Sequence, residues 1–186
     1  MMLFGDKAIF AIETMIEPHL EPPSAPWGRM CVWCEGVSIG DINEENCGLE
    51  VFEALSYLIS QLDDLWLDEF EGLSDFQLWN LLDGLLFGYH GNVEIDDDRS
   101  LEQMQSDAKK YGKFNFLTNW GEQFDRDGKS FIFHHPKGRI KILNKSLPIE
   151  KGIALETSTD AFCNAINEAV SWFEKQRISL SGGKQA

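Results

Sequence analysis

Two of the four cysteines, Cys31 and Cys34, form a CxxC, the spacing of a zinc knuckle or a redox dithiol. Either chemistry needs both sulfurs on one side of the backbone. Residues 29–35 instead alternate Met30, Val32 and Cys34 with Cys31 and Trp33, the period of a strand, so positions three apart point to opposite faces. No second CxxC or His pair accompanies them, and a thioredoxin-like motif belongs at a helix start. The pair is expected to be packed, reduced and metal-free. His134 and His135 are adjacent, so on a strand at most one can join a site, and His19 and His90 fall in loops without an HExxH spacing. Asp96, Asp97 and Asp98 are contiguous, whereas an EF-hand loop alternates its ligands around a Gly and closes on a Glu. They predict a solvated turn. Gly182-Gly183-Lys184 has no following helix to present to a phosphate, and GxSxG and GxGxxG do not occur. No catalytic residue, metal ligand or cofactor is expected, and the chain is taken as non-enzymatic.

The elements that position these residues follow from periodicity and turn chemistry. Residues 8–16 are dense in apolar and β-branched side chains, which predicts a strand buried on both faces. Pro22, Pro23 and Pro26 place a loop over 19–27, after which Trp27 is a candidate aromatic anchor or edge cover. Residues 29–35, the turn at Gly36 and residues 37–39 continue an antiparallel meander. Further strands are expected at 113–118, 130–135, 139–144 and 152–156, with Pro136-Lys137-Gly138 closing a hairpin.

Over 49–68, Phe52, Leu55, Ile59, Leu62 and Trp66 share one stripe at about 100° per residue, and Glu50, Glu53, Asp64 and Asp68 share the opposite one. That pattern predicts an amphipathic helix with an acidic outer face. Ser74 with Gln77 and Ser100 with Gln103 are capping-box signatures for helices ending at Gly88 and Gly112. The first buries Phe76, Trp79, Leu82 and Leu86, and the second carries a narrower stripe of Leu101, Met104, Ala108 and Tyr111. A last helix is expected over 159–177, with Phe162, Ile166, Ala169 and Phe173 inward. Strands, helices, strands, helix, without βαβ alternation, predict an α+β fold with an antiparallel sheet and helices packed largely on one face. One domain over 1–180 and a flexible tail over 181–186 are expected.

With 186 residues, 43% hydrophobic and 25% charged, the chain has the balance of a soluble globular protein. Its net charge of −15 is unevenly spread. Residues 30–98 hold 17 carboxylates and no Lys or Arg, while the remainder is close to neutral. Such a field repels nucleic acid and anionic membrane and attracts basic partners. No apolar run approaches the roughly 18–20 residues of a spanning helix, and the N-terminus lacks the basic start of a secretory signal, so a cytoplasmic protein is expected.

Leu3-Phe4-Gly5-Asp6, Phe10-Ala11-Ile12-Glu13, Trp27-Gly28-Arg29 before a strand containing Trp33, and Ile39-Gly40-Asp41 together resemble the start of the immunity protein 42 family. The resemblance covers roughly residues 2–45. It implies a bacterial protein of a polymorphic toxin system that binds and neutralises a toxin encoded next door. The charge pattern adds a surface for a basic toxin: Glu50, Glu53, Asp64 and Asp68 on the acidic helix face, Glu69 and Glu71 in the following turn, and Asp96, Asp97 and Asp98. A small hydrolase with an unrecognised carboxylate pair, and a non-catalytic adaptor subunit, remain alternatives at this point.

Overall fold

The structure, a computed structural model, describes residues 1–17, 27–43, 47–48, 51–91, 93–121, 124, 128–146 and 152–182, the side chains of 27, 47, 48 and 178–182 excepted. The expected meander starts one strand early. β1 (Met2–Asp6) pairs antiparallel with β2 (Phe10–Ile16), β2 with β3 (Trp27–Cys34), and β3 with β4 (Val37–Ile39) and the short β5 (Cys47–Gly48). β1 escaped detection because Met2 and Leu3 are exposed and only Phe4 is buried, which leaves no alternation to read. β2 is buried on both faces, as its composition predicts: Phe10 and Ile12 join the core, while Glu13 lies buried on the other side against Trp33.

A second antiparallel sheet has the order β11-β10-β9-β8, from Asn115–Phe116 (β8), Ser130–His135 (β9), Arg139–Asn144 (β10) and Ala154–Ser158 (β11). The β9–β10 hairpin has the predicted bounds. Residues 113–118 are strand over only two positions, since a 3-10 turn occupies Gly112–Phe114. A small hairpin joins β6 (Tyr89–His90) to β7 (Val93–Glu94).

Among the described residues, four helices accompany the sheets: α1 (Val51–Ser60), α2 (Asp75–Phe87), α3 (Leu101–Tyr111) and α4 (Thr159–Gly182). Both predicted capping boxes form, with Gln77 Oε1 accepting from the Ser74 amide at 2.9 Å and Gln103 Oε1 from the Ser100 amide at 2.7 Å. α2 stops at Gly88, whose φ of 73° is the left-handed conformation a glycine adopts without a Cβ penalty. The fold is α+β with antiparallel sheets, as the element order indicates.

The helix expected over 49–68 is corrected. α1 ends at Ser60, and the chain continues through 3-10 turns at Leu62–Asp64 and Asp68–Phe70. Backbone groups there are used elsewhere: Leu65 O accepts from the His134 amide at 2.9 Å, and Leu62 O faces His134 Nδ1 at 3.2 Å, tying this segment to β9. Leu62 and Leu65 stay buried, so the apolar spacing survives the change of helix type.

One hydrophobic cluster runs through both sheets and the helices. Phe70 meets Phe114 at 5.1 Å and Phe114 stacks on Phe133 at 5.5 Å. α4 covers the first sheet, with Phe162 against Phe10 at 4.8 Å and Trp172 against Phe4 at 5.8 Å. From α3 only Tyr111 is buried. Among the described residues no helix is long and apolar enough to cross a membrane.

Candidate functional site

The uneven charge along the chain is in part an internal device. Among the described residues, carboxylates of the acidic stretch meet cations from outside it: Glu53 with Arg177 at 3.0 Å, Glu69 with Lys110 at 2.7 Å, Asp75 with Lys141 at 2.7 Å, Asp83 with Lys129 at 2.5 Å, and Asp97 with Arg99 at 2.6 Å. Asp83 is the deepest. Its second oxygen accepts from the Gly91 amide at 2.6 Å, which ties the β6–β7 hairpin to α2. Lys129 lies over Phe87 and Tyr89 at 4.9 and 4.7 Å. Lys145 sits 3.8 Å from the Trp79 ring centre and donates to Asn80, and burial holds its ammonium below the ordinary lysine range.

Pairing sorts the predicted recognition residues. Glu50 lies outside the described residues. Glu53, Asp64 and Asp68 do not share a helical stripe, because Asp64 and Asp68 stand in the two 3-10 turns after α1, and Glu53 faces Arg177 on α4. Glu69 is engaged by Lys110 and by the Tyr111 hydroxyl at 2.5 Å, and these hydrogen bonds hold its carboxyl below the usual range. Asp97 takes Arg99 Nε and Nη2 on its two oxygens, and those bonds pull its carboxyl down to about 2. Asp64, Asp68, Glu71, Asp96 and Asp98 are exposed, as is Asp63, and among the described residues none of them has an ion pair. α3 relates the two groups: Glu69 is held at its C-terminal end and Asp97 beside its N-terminal half, along a helix of about 16 Å.

Arg99 fixes that arrangement. Its guanidinium bridges Asp97 and Asp107 and donates to the carbonyls of Gly84 and Leu85 at the end of α2. Cation and helix C-terminus attract, so Arg99 clamps α3 to α2. Above the clamp lies an open groove of about 460 Å³, lined by Leu85, Leu86 and Phe87 on one side and Met104 and Ala108 on the other. The α3 stripe is largely uncovered: Leu101 is 70% and Met104 36% exposed. Periodicity found this stripe without giving its destination, because an apolar spacing says which residues share a face and not what covers it.

Cys31, Cys34, His134 and His135 serve the scaffold. Cys31 and Cys34 are buried on opposite faces of β3, as the alternation predicts, Cys34 in the core and Cys31 with its Sγ 3.8 Å from Glu13 Oε2. Burial, reinforced by the Glu13 charge, pushes the Cys31 thiol up to about 12. Glu13 is itself held below the usual carboxylate range: burial acts to raise it, and hydrogen bonds from Lys7 and Trp33 outweigh that. His134 Nε2 meets Thr159 Oγ1 at 3.1 Å, and His135 stands edge-on to Trp66 at 4.6 Å. Among the described residues no group of three or more His, Cys, Asp or Glu is placed to hold a metal.

The N-terminal motif residues are likewise structural. Gly5 has a φ of 91°, and a Cβ there would lie 2.3 Å from Phe10 O and 3.0 Å from Ala165. Arg29 pairs with the buried Glu17, Trp33 Nε1 donates to Glu13 at 2.9 Å, and Ile39 is core. The side chain of Trp27, the candidate anchor, lies outside the described residues. A family model described as immunity protein 42 matches residues 2–172. No curated protein matches the chain. Among solved structures, CdiI from Burkholderia dolosa AUO158 is similar over 91% of this chain and 99% of its own, with a TM-score of 0.58 and 16% identity, a likeness of fold.

Proposed function

Because the chain belongs to the immunity protein 42 family, we propose that it neutralises a cognate toxin by binding a basic surface of that toxin, without catalysis of its own. The observation that carries the acidic surface is the separation made by pairing. While neighbouring carboxylates are matched inside the fold, Asp63, Asp64, Asp68 and Glu71 on one side and Asp96 and Asp98 on the other stay exposed and unmatched among the described residues. Unpaired surface carboxylates act over distance, speeding encounter with a cationic partner and repelling nucleic acid and anionic membrane. Glu69 and Asp97 belong to this surface as its fixed points, whereas Glu53, matched by Arg177, is peripheral. Residues 1–180 act as one domain, in the bacterial cytoplasm. The groove between α2 and α3 does not favour a hydrolase, since among its lining residues the single carboxylate, Asp97, is locked on Arg99.

Coexpression with the toxin encoded beside it, followed by stopped-flow association, tests the reading. Wild-type protein protects the cell, and Asp64→Lys/Asp68→Lys/Glu71→Lys slows association at least tenfold at low salt and flattens its salt dependence. Glu53→Lys leaves the rate within about twofold. Failure of the wild type to protect refutes neutralisation, and a triple variant that associates at the wild-type rate across ionic strengths refutes the acidic surface.

A further inference from the structure

We propose that the groove between the C-terminal turn of α2 and α3 is the anchor pocket of the interface, and that it receives an apolar side chain of the toxin flanked by lysine or arginine. The inference rests on the neutralisation reading and adds where affinity, as opposed to encounter rate, is generated. Exposed ion pairs contribute about 0–1 kcal/mol each, so a carboxylate surface alone does not hold a partner. Interfaces are held by apolar side chains seated in desolvated pockets inside a polar rim. The α2–α3 groove has that construction. Leu101, Met104 and Ala108, at i, i+3 and i+7, face one way and are left exposed, on a helix that buries only Tyr111.

The walls are held before any partner arrives. The α3 wall is clamped by the bonds of Arg99 to Asp97, Asp107 and the last carbonyls of α2, and its far end by Lys110 and Tyr111 on Glu69. Little ordering is required on binding, which favours affinity.

Charge selects the occupant. Asp96 and Asp98 flank Asp97, which lines the groove, and Glu102 stands in the first turn of α3; all three are exposed and without an ion pair among the described residues, while Arg99 is consumed by two aspartates. The remaining cations of α3, Lys109 and Lys110, sit at its other end, with Lys110 committed to Glu69. An apolar residue entering the groove therefore meets a negative rim on one side, and a neighbouring lysine or arginine completes it. A second copy of this chain is disfavoured by the same rim and by a net charge of −15 on each copy.

The test uses the full-length chain, the toxin encoded beside it, and Met104→Gln and Ala108→Gln, which remove or fill the apolar space without changing charge. Both residues are at the surface, and thermal melting confirms that the variants fold. The expected result is a dissociation rate raised at least tenfold, with association rate and salt dependence unchanged; Asp96→Lys/Asp98→Lys shows the reverse, slower association. If the wild type binds and both glutamine variants dissociate at the wild-type rate, the groove is not the anchor and neutralisation stands. If the wild type does not bind the toxin, the functional reading itself falls. A concentration-dependent dimer of the chain alone that the glutamine variants abolish assigns the groove to self-association and overturns the proposal.

Discussion

Replacing Lys129 by Met isolates the buried carboxylate of Asp83, and its cost can be worked out from the surroundings. The Asp83 side chain is 0% exposed and Lys129 24%. Removing one partner of a buried pair typically costs about 3–5 kcal/mol, because the other charge is left without compensation. Two features lower that figure here. Asp83 keeps the Gly91 amide at 2.6 Å, and Lys145 lies close enough to feel its charge. A loss of about 2–4 kcal/mol results, or about 4–16 °C in Tm for a chain of this size. Asp83→Asn costs less, about 1–2 kcal/mol, since the amide oxygen still accepts from Gly91 and Lys129 reaches water. The double variant Asp83→Asn/Lys129→Met then costs less than the sum of the singles. Urea unfolding followed by tryptophan fluorescence at low and high salt measures all four corners. Because this pair is shielded, its coupling changes little with salt, whereas the coupling of Glu53 with Arg177, both more than half exposed, fades. Strict additivity, or a Lys129→Met loss below about 0.5 kcal/mol, refutes the assignment of Lys129 as the counterion that keeps Asp83 buried.

Two further outcomes follow from the titrating groups. The Asp97 carboxyl is held at about 2, below its unfolded value of about 3.9, so its support of α3 is full above that range and is lost as pH falls through 2; amide exchange in α3 stays slow at pH 4 in the wild type and is fast already at neutral pH in Asp97→Asn. The Cys31 thiol, at about 12, carries little thiolate at pH 8, so peptide mapping after iodoacetamide shows native Cys31 alkylated at least about 100-fold more slowly than in the unfolded chain. Equal rates would place Cys31 outside the sheet interior.

What the sequence made legible was local. Ser74 with Gln77 and Ser100 with Gln103 announced helix starts because a capping box closes within four residues. The Pro136-Lys137-Gly138 turn fixed a hairpin, and the alternation around Cys31 placed the two sulfurs on opposite faces. The acidic helix over 49–68 failed because His134, some seventy positions away, uses the carbonyls of Leu62 and Leu65. The recognition residues were blurred for the same reason. Nothing near Glu53, Glu69 or Asp83 in sequence reveals that Arg177, Lys110 and Lys129 are assigned to them. Hence the sequence carried only the total charge, and the folded pairing distinguished carboxylates facing outward from those already matched.

The packing of α4 on the first sheet sets the order of events during synthesis. Phe4 and Phe10 leave the ribosome about 150–170 residues before the rings that cover them, Phe162 and Trp172. At about 5–20 residues per second the N-terminal hairpin waits roughly 8–30 s with its inner face bare. Chains cut short before α4 keep that apolar face exposed, the condition that recruits chaperones.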